Sequence, residues 1–266
     1  MTEPDANRKY WDELAPGYQE QTSISTDDFH FGPLLPGNAD LRLLPAPLAG
    51  LECLEIGCGA AQNSIYLAGC GAACMAIDVS PVQLGHAAGL ARDAGVAVAL
   101  QALAMEDLDQ LQPRTFDFVH STFALPFATD PQTVIAAAAN LLKPGGHLLL
   151  TTAHPAFAGE WLELGDEGCG LFLSSYFDPP EDVRFTEDGT TFVRSCARPI
   201  GEMLDWLLAA GLVLDRLVEP QPLPVPTMSP AEISARVPYY SDAWRHCFDQ
   251  VAHIPVVVIF AAHRSR

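Results

Sequence analysis

Two closely spaced glycines are the first residues whose pattern indicates chemistry. Gly57 and Gly59 lie in the stretch LEIGCGAAQN, which leads from an apolar segment into an Ala-rich one. Glycines let the chain turn tightly and bring backbone N–H groups close to a ligand without interference from a Cβ atom. A dinucleotide-binding loop carries a third glycine where this chain has Gln62, so the pattern favours a ligand without a pyrophosphate. The alternative is a purely structural turn.

A carboxylate follows the next apolar stretch, at a spacing typical of ribose recognition. Asp78, in AIDVS, lies 78 − 57 = 21 positions after the first glycine. A carboxylate at this position accepts hydrogen bonds from the ribose hydroxyls of a nucleoside. Because Ser80-Pro81 is a typical helix start, the alternative is that Asp78 only neighbours a helix N-cap.

Histidine supplies the candidate base. His154 immediately follows the predicted fifth strand, at the carboxyl edge where α/β proteins form their ligand sites. Imidazole titrates near neutrality and therefore suits removal of a proton from a reacting nucleophile. The alternative is a histidine that caps the strand end or bonds to a loop, and His30 is a second candidate. Aromatic residues that can form a lid or ordinary packing are Tyr10, Trp11, Tyr18, Trp161, Tyr176, Phe177, Tyr239 and Tyr240.

The elements that must position these residues alternate regularly between strands and helices. Apolar segments predict strands at Leu51–Ile56, Ala73–Ile77, Val96–Leu100, Phe116–His120 and Gly146–Thr152. Ala- and Leu-rich segments between them predict helices near 61–69, 81–94 and 131–142. Continuous apolar strands that alternate with helices are typical of a parallel sheet covered on both faces.

The remaining segments flank or interrupt this core of residues 51–152. Residues 1–50 predict an N-terminal helix over Pro4–Gln21 and a Pro- and Gly-punctuated loop that together form a lid. Residues 153–198 predict an insertion, part hairpin and part loop, over the carboxyl end of the sheet, with turns at Gly165-Asp166, Asp178-Pro179-Pro180 and Asp188-Gly189. Residues 199–266 predict a helix at 199–210, a strand at 212–218, a Pro-rich connection at 220–230, a helix at 240–250 and a closing strand, Val256–Ala262. The whole chain is predicted to be one domain.

Composition excludes several classes of function. The chain of 266 residues carries 33 acidic against 14 basic side chains, a formal charge of −19, which opposes binding to nucleic acids or anionic membranes. Its longest apolar run, 254–262, is too short to span a bilayer, and the N-terminus lacks the pattern of a signal peptide. None of the seven cysteines forms a CxxC pair, so we expect a cytoplasmic protein without a metal site.

The ordered set of motifs resembles one family. LEIGCGAAQ, AIDVS, AMEDL, FDFVHSTFAL and LLKPGGHLLL are similar to the successive motifs of class I S-adenosylmethionine-dependent methyltransferases of the small-molecule type, which includes the ubiquinone/menaquinone C-methyltransferases. YWDELAPGY resembles the first helix of that group, where an aromatic residue closes over the cofactor. The resemblance implies a Rossmann-like α/β fold with a seven-stranded sheet, helices on both faces and an antiparallel last strand.

The resemblance also implies roles for individual residues. The two glycines wrap the methionine part of S-adenosyl-L-methionine, Glu55 orients their loop, Asp78 holds the ribose, and Ser121 faces the methionine carboxylate or the substrate. Ala104 stands where the family often has an aspartate for the adenine amino group, which removes a hydrogen bond worth about 1 kcal/mol. The predicted cofactor-binding residues are Tyr18, Glu55, Gly57, Cys58, Gly59, Gln62, Asn63, Asp78, Val79, Gln83, Met105, Glu106 and Ser121.

The segment after the predicted fourth strand limits which class of methyl acceptor is expected. Ser121-Thr122-Phe123-Ala124-Leu125 is neither the Asn/Asp-Pro-Pro-aromatic stretch of amino-group methyltransferases nor a Pro-Cys pair, so a small-molecule acceptor is favoured. Three alternatives stay open: a nicotinamide oxidoreductase, a methyltransferase that acts on nucleic acid or protein, and a non-catalytic module that binds the cofactor. The sequence leaves the oligomeric state and the methylated atom undetermined.

Overall fold

A seven-stranded sheet organises the computed structural model, which describes residues 3–163, 169–186 and 189–266. The strands, in chain order, are β1 (Thr22–Ile24), β2 (Glu52–Ile56), β3 (Ala73–Asp78), β4 (Val98–Ala102), β5 (Phe116–Thr122), β6 (Leu142–Ala153), β7 (Glu160–Glu163), β8 (Cys169–Phe172), β9 (Asp182–Phe185), β10 (Phe192–Ser195), β11 (Leu212–Val218), β12 (Tyr239–Ser241) and β13 (Val257–Arg264). The α-helices are α1 (Glu3–Gln21), α2 (Asn38–Leu41), α3 (Gln62–Gly69), α4 (Pro81–Asp93), α5 (Pro131–Asn140), α6 (Ile200–Ala209), α7 (Pro230–Arg236), α8 (Asp242–His246) and α9 (Phe248–Val251).

The strand order of the large sheet is β11-β13-β6-β5-β2-β3-β4. Strands β4, β3, β2, β5 and β6 pair in parallel, whereas β13 runs antiparallel to both β6 and β11. The predicted fold, a seven-stranded Rossmann-like sheet with an antiparallel last strand, is therefore confirmed. Strand order reverses beside β2, and in such sheets ligands bind at the carboxyl ends of the strands around that point.

Alternate residues of each central strand enter different cores because successive side chains of a strand point to opposite faces. Leu54 and Val119 belong to the core that α5 and α6 cover. Their neighbours Cys53 and Phe118 belong to a second core, which includes Leu67 of α3 and the segment from Phe29 to Leu35. Both faces are thus covered, and the carboxyl edge remains available for a ligand.

Several predicted boundaries need correction. The helix predicted over 240–250 is two short helices, α8 and α9, preceded by β12, because Tyr239–Ser241 pairs with Thr22–Ile24 and the Ser241 side chain caps α8. Helix α7 is not among the predicted helices. Ser229 and Glu232 form a capping box at its start, which is a sequence signal for a helix N-terminus. Strand β5 continues through Ser121 to Thr122, so Ser121 lies in the strand and not in the following loop.

Segments outside the large sheet gather over its carboxyl edge. Helix α1 packs against α4 and β10, and β1 continues from it to pair with β12. The insertion contributes two antiparallel pairs, β7–β8 and β9–β10. The predicted turn at Gly165-Asp166 and the first residue of the one at Asp188-Gly189 lie outside the described residues. None of the described helices combines the length and apolarity needed to cross a membrane.

Candidate cofactor and acceptor site

A cavity of about 380 Å³ lies at the carboxyl edge of the sheet. Its floor comes from the ends of five adjacent strands, β4, β3, β2, β5 and β6, and its roof from α1, the β12 segment and the insertion. This volume lies in the range of small-molecule and cofactor sites, about 300–1,000 Å³. Of the predicted cofactor residues, the cavity is lined by Tyr18, Gly57, Cys58, Gly59, Gln62, Asp78, Val79, Gln83, Met105 and Glu106.

The backbone of the glycine loop is left-handed at both glycines. Gly57 has φ +65° and Gly59 has φ +54°, a region that L-residues other than glycine seldom adopt. A Cβ atom on Gly57 would lie 2.2 Å from the Cβ of Ala124, whereas one on Gly59 would meet no atom within 4 Å. Gly57 is therefore required by the packing of the loop, and Gly59 leaves open space that a ligand can occupy.

The Asp78 carboxylate joins the glycine loop to the start of α4. Its Oδ2 accepts a hydrogen bond from the Gly59 N–H at 2.8 Å, and its Oδ1 accepts one from the Ser80 N–H at 2.9 Å. Burial raises the pKa of this carboxyl, and the two backbone donors oppose that shift. Each carboxylate oxygen accepts more than one hydrogen bond, so Asp78 keeps acceptor capacity for a diol while it holds the loop.

Three glutamine amides connect α1 to both sides of the cofactor loop. The Gln62 Nε2 donates to the Gln19 Oε1 at 3.3 Å, and the Gln19 Nε2 donates to the Gln83 Oε1 at 3.2 Å. Gln62 and Gln83 are predicted site residues, whereas Gln19 had no signal in the sequence because only the packing of α1 brings it there. All three glutamines line the cavity, and their hydrogen bonds join α1 in the roof to the residues of the floor.

Three predicted cofactor residues lie behind the cavity wall. Glu55 is buried, and its Oε2 accepts hydrogen bonds from the backbone and the hydroxyl of Ser64; burial raises the pKa of Glu55 to about 7. Ser121 donates its hydroxyl to the Ile56 carbonyl at 2.9 Å. Asn63 is fully buried and bonds to the backbone of His30. These residues support the loop from behind, and the expectation that Ser121 faces a ligand is corrected by its hydrogen bond.

His154, the predicted base, does not line the cavity. Its Nδ1 accepts a hydrogen bond from the Ala156 N–H at 3.0 Å, and its Nε2 lies 2.6 Å from the Glu219 Oε1. Because Nδ1 accepts, the neutral ring carries its proton on Nε2 and donates it to Glu219, so no ring nitrogen remains for a substrate. The geometry thus corrects the prediction: His154 holds the short helical turn that follows β6.

His30, the second candidate, does line the cavity. It is buried, and its Nδ1 has no hydrogen-bond partner among the residues that the structure describes. Its ring meets the Tyr239 ring edge to face, with 5.5 Å between the centroids. Burial lowers the pKa of His30 to about 4, so its imidazole is neutral at neutral pH.

The two halves of the cavity differ in charge. Asp78 and Glu106 lie at the β3 and β4 side. The described lining that follows β5 and β6 carries no acid and includes the aromatic Phe123 and Phe157, with Trp244 beside Phe157. Arg184 of the insertion, which pairs with Asp182, is a cation of the described lining. Phe123 has φ +63°, an unusual conformation for a bulky residue of the kind that often occurs at functional sites.

A pair of tyrosine hydroxyls closes the roof. Tyr18 of α1 and Tyr239 of β12 share a short hydrogen bond between their hydroxyl oxygens, and burial raises the pKa of both. Trp11 packs edge to face on Phe127 with 5.1 Å between the centroids. Further lining residues absent from the predicted cofactor-binding set are Asn7, Thr122, Phe123, Arg184, Ser195 and Trp244. Thr122 and Phe123 belong to the motif FDFVHSTFAL, whereas the other four lie outside the motifs.

The lining fits S-adenosylmethionine. The open space at Gly59 and the Asp78 carboxylate suit its methionine and ribose parts, and backbone and apolar surface from Leu103 to Glu106 suits an adenine ring. Ala104 supplies no side-chain acceptor there. Among the described residues, no group of three or more His, Cys, Asp or Glu side chains is arranged to hold a metal ion.

Comparisons with known proteins agree with this site. Residues 54–150 match a family model described as a methyltransferase domain. The chain is 32% identical over 184 residues to the ubiquinone biosynthesis O-methyltransferase of Xylella fastidiosa, a match that covers 68% of this chain and 69% of that protein. The same enzyme of Xanthomonas euvesicatoria is 33% identical over 168 residues, covering 63% of this chain and 65% of the relative.

Solved structures share the fold. An S-adenosylmethionine-dependent methyltransferase from Mesorhizobium loti superposes with a TM-score of 0.62 at 22% identity and covers 85% of this chain and 96% of that one. DhpI in complex with SAM and HEP has a TM-score of 0.60 at 17% identity, covering 98% and 96% of the two chains. Sequence and fold agree: the chain belongs to the S-adenosylmethionine-dependent methyltransferase family.

Proposed function

We propose that this protein transfers the methyl group of S-adenosylmethionine to an oxygen atom of a small, uncharged and mainly apolar acceptor. The observation that carries the proposal is the division of one cavity into two chemically different halves. The half beside β3 and β4 holds the glycine loop and the Asp78 carboxylate, which suit the cofactor. The half beside β5 and β6 is lined by uncharged aromatic groups, which suit an apolar acceptor.

The relatives support the choice of oxygen. The curated relatives are named ubiquinone biosynthesis O-methyltransferases, and the match to the first of them extends over 184 residues, beyond the cofactor motifs. The formal charge of −19 opposes nucleic acid as the acceptor, since phosphates are bound by clustered Lys and Arg. Arg184 is the one Lys or Arg among the described lining residues.

The chain's own residues supply positioning and exclusion of water. When bound, S-adenosylmethionine would supply an electrophilic methyl group, which passes to an acceptor oxygen while the sulfur leaves as the thioether S-adenosylhomocysteine. Holding the two groups in line within about 3–3.5 Å converts their encounter into an intramolecular step, which accounts for much of the acceleration in such reactions. The roof formed by α1 and the Tyr18–Tyr239 hydroxyl pair keeps bulk water from the cavity during transfer.

The test combines cofactor binding with an acceptor screen. Calorimetry of the purified chain with S-adenosylmethionine is expected to show one site, and NADH is expected not to compete. A panel of phenols, carboxylic acids, thiols, amines, tRNA and peptide is then incubated with cofactor labelled in the methyl group. Label in phenols supports the proposal. Label only in tRNA or peptide, or cofactor binding with no transfer to any acceptor class, contradicts it.

A further inference from the structure

The imidazole of His30 is a polar group that the protein itself leaves without a partner. It lines the cavity, its side chain is more than nine-tenths buried, and the Nδ1 atom has no hydrogen bond to any described residue. Buried polar groups are nearly always satisfied, so an imidazole in a cavity wall with no hydrogen bond to the described residues points to a ligand that completes it. His154 gives the contrast, because both its ring nitrogens have partners within the protein.

The backbone of His30 is held in a fixed place. The Asn63 Oδ1 accepts from the His30 N–H at 2.9 Å, and the Asn63 Nδ2 donates to the His30 carbonyl at 3.1 Å and to the Thr122 hydroxyl at 3.3 Å. Asn63 follows the cofactor-lining Gln62, and Thr122 ends β5. His30 is therefore tied to the cofactor loop and to the strand end where the acceptor half of the cavity begins.

The surroundings of the ring keep the imidazole neutral. The titratable groups around it are Tyr18 and Tyr239 on the roof elements and His120 on β5, and none carries a negative charge at neutral pH. The nearest acid in sequence, Asp28, accepts hydrogen bonds from the Phe29 and Ala39 backbones. Because burial lowers the pKa of His30 and no carboxylate faces the ring, a lone pair is available at every pH near neutrality.

We propose that His30 is the catalytic base of the methyl transfer and that Asn63 is its positioning residue. The proposal rests on the proposed function. A lone pair of the acceptor hydroxyl forms the new O–CH3 bond while the S–CH3 bond breaks and leaves its electron pair on sulfur. The O–H electron pair stays on oxygen, and the proton passes to the imidazole, which later releases it to water. A weak base suffices, because a hydroxyl that is acquiring a methyl group becomes strongly acidic.

The test compares two phenols, two variants of His30 and one control variant. His30→Gln and the smaller His30→Asn remove the base, and His263→Gln changes a histidine on the outer part of β13 as the matched control. Catechol and the more acidic 4-nitrocatechol are the probes. At about pH 7 the His30 variants are expected to lose roughly 10²–10⁴-fold in kcat for catechol, with unchanged affinity for S-adenosylmethionine. The loss should shrink for 4-nitrocatechol and at alkaline pH, where the phenol ionises without a base.

Other outcomes overturn the proposal. An equal loss at every pH and for both phenols assigns His30 a merely structural role. If the wild type methylates neither phenol but binds S-adenosylmethionine and methylates another hydroxyl, the His30 variants are compared on that acceptor, and an unchanged kcat overturns His30 as base while the proposed function stands. Absence of cofactor binding by the wild type contradicts the proposed function instead.

A measurement on the wild type alone covers the case in which the variants fail to fold. Single turnovers with catechol are compared in H2O and D2O, with the S-adenosylmethionine complex formed beforehand. Transfer of the hydroxyl proton during O–C bond formation is expected to make the reaction slower in D2O. Identical rates in the two solvents overturn the proposal.

Discussion

The side-chain amide of Asn63 binds both polar groups of the His30 backbone, 33 residues away in the chain, with hydrogen bonds of 2.9 and 3.1 Å. Asn63 is fully buried, and His30 is more than nine-tenths buried. Through these two hydrogen bonds Asn63, the second residue of α3, fixes the position of the loop that carries His30 into the cavity.

Replacement of Asn63 by Leu is expected to impair catalysis more than cofactor binding. Leu has a similar size but leaves the His30 N–H and carbonyl unsatisfied, at about 1–3 kcal/mol for each group. Turnover should fall while the Kd of S-adenosylmethionine stays within about twofold of the wild type. The matched control is Asn38→Leu, which removes two hydrogen bonds to the Leu43 and Leu44 backbones, outside the cavity lining. It should lower the Tm and leave kcat intact; equal kcat losses in both variants would refute positioning.

A methyl group on Gly59 is expected to weaken the binding of S-adenosylmethionine by tenfold or more. The new Cβ meets no protein atom within 4 Å, so it enters the space assigned to the ligand. Gly59→Ala also carries the strain of a left-handed backbone, about 1–2 kcal/mol. Gly95→Ala carries the same strain at φ +69° with equally open space and lies outside the cavity lining. Calorimetry should show weaker binding for Gly59→Ala alone. Gly57 is unsuited to this test because its Cβ would collide with Ala124.

Loss of the Asp78 charge is expected to reduce cofactor affinity by about 1.5–3 kcal/mol, the range for hydrogen bonds to a charged group. Asp78→Asn keeps the shape of the side chain but turns one oxygen into a donor that faces a backbone N–H. Asp130→Asn is the control, since Asp130 caps α5 by the same kind of bond, to the Thr133 N–H, outside the cavity. Both variants should lose stability. If Asp78→Asn binds S-adenosylmethionine as tightly as the control, the carboxylate serves only the loop.

The tyrosine hydroxyl pair is expected to hold the roof closed. In the wild type, bound S-adenosylhomocysteine should protect residues 8–32 and part of 155–198 from hydrogen exchange. Tyr18→Phe and Tyr239→Phe each remove one hydroxyl of the pair. Protection of residues 8–32 should decrease in both single variants, and the double variant should lose little more, because either change alone breaks the same bond. Additive losses would show that the hydroxyls act independently.

Acid should destabilise the fold partly through His120. This ring is fully buried between Phe118 and Phe29 without a partner for either nitrogen among the described residues, and burial lowers its pKa to about 3. The unfolded chain binds a proton at His120 below about pH 6.5 and the folded chain does not. The contribution of the neutral ring to the free energy of unfolding is therefore fully present above about pH 6.5. It decreases by about 1.4 kcal/mol per pH unit as the pH falls from there to about 3.

His120→Leu, which has a similar volume and does not titrate, isolates this effect. Glu55 acts in the opposite direction, because its pKa is raised to about 7 and its contribution is lost as the pH rises. The measured quantity is thus the difference in the free energy of unfolding between the wild type and His120→Leu from about pH 7 to about pH 4. That difference should shift in favour of the variant as the pH falls; a constant difference would contradict the burial of a neutral ring.

The sequence by itself determined the parts of the protein whose geometry is local. The alternation of apolar strands and helices specified the sheet, since each element needs its own apolar face or run. The sequence identified the glycine loop and Asp78 because both lie at strand ends. There the backbone conformation and the nearest ligand contacts are set by residues that are neighbours in the chain.

Only the tertiary structure decided which side chains face the cavity. His154 was placed at the correct strand end, yet its ring turns to Ala156 and Glu219. Ser121 and Thr122 are adjacent, and because the strand continues through both, its pleat sends Ser121 to the Ile56 carbonyl and leaves Thr122 to line the cavity.

The acceptor half of the cavity is likewise formed by contacts that only the tertiary structure reveals. Tyr18 meets Tyr239 across 221 positions of the chain, and Asn63 reaches His30 across 33. No periodicity or motif records such contacts, because they arise only when the helix that begins the chain and the strand near its end pack over the same sheet edge. Residue types and their spacing were therefore enough to locate the cofactor loop. The packing of distant segments determines that His30 and its neighbours line the cavity.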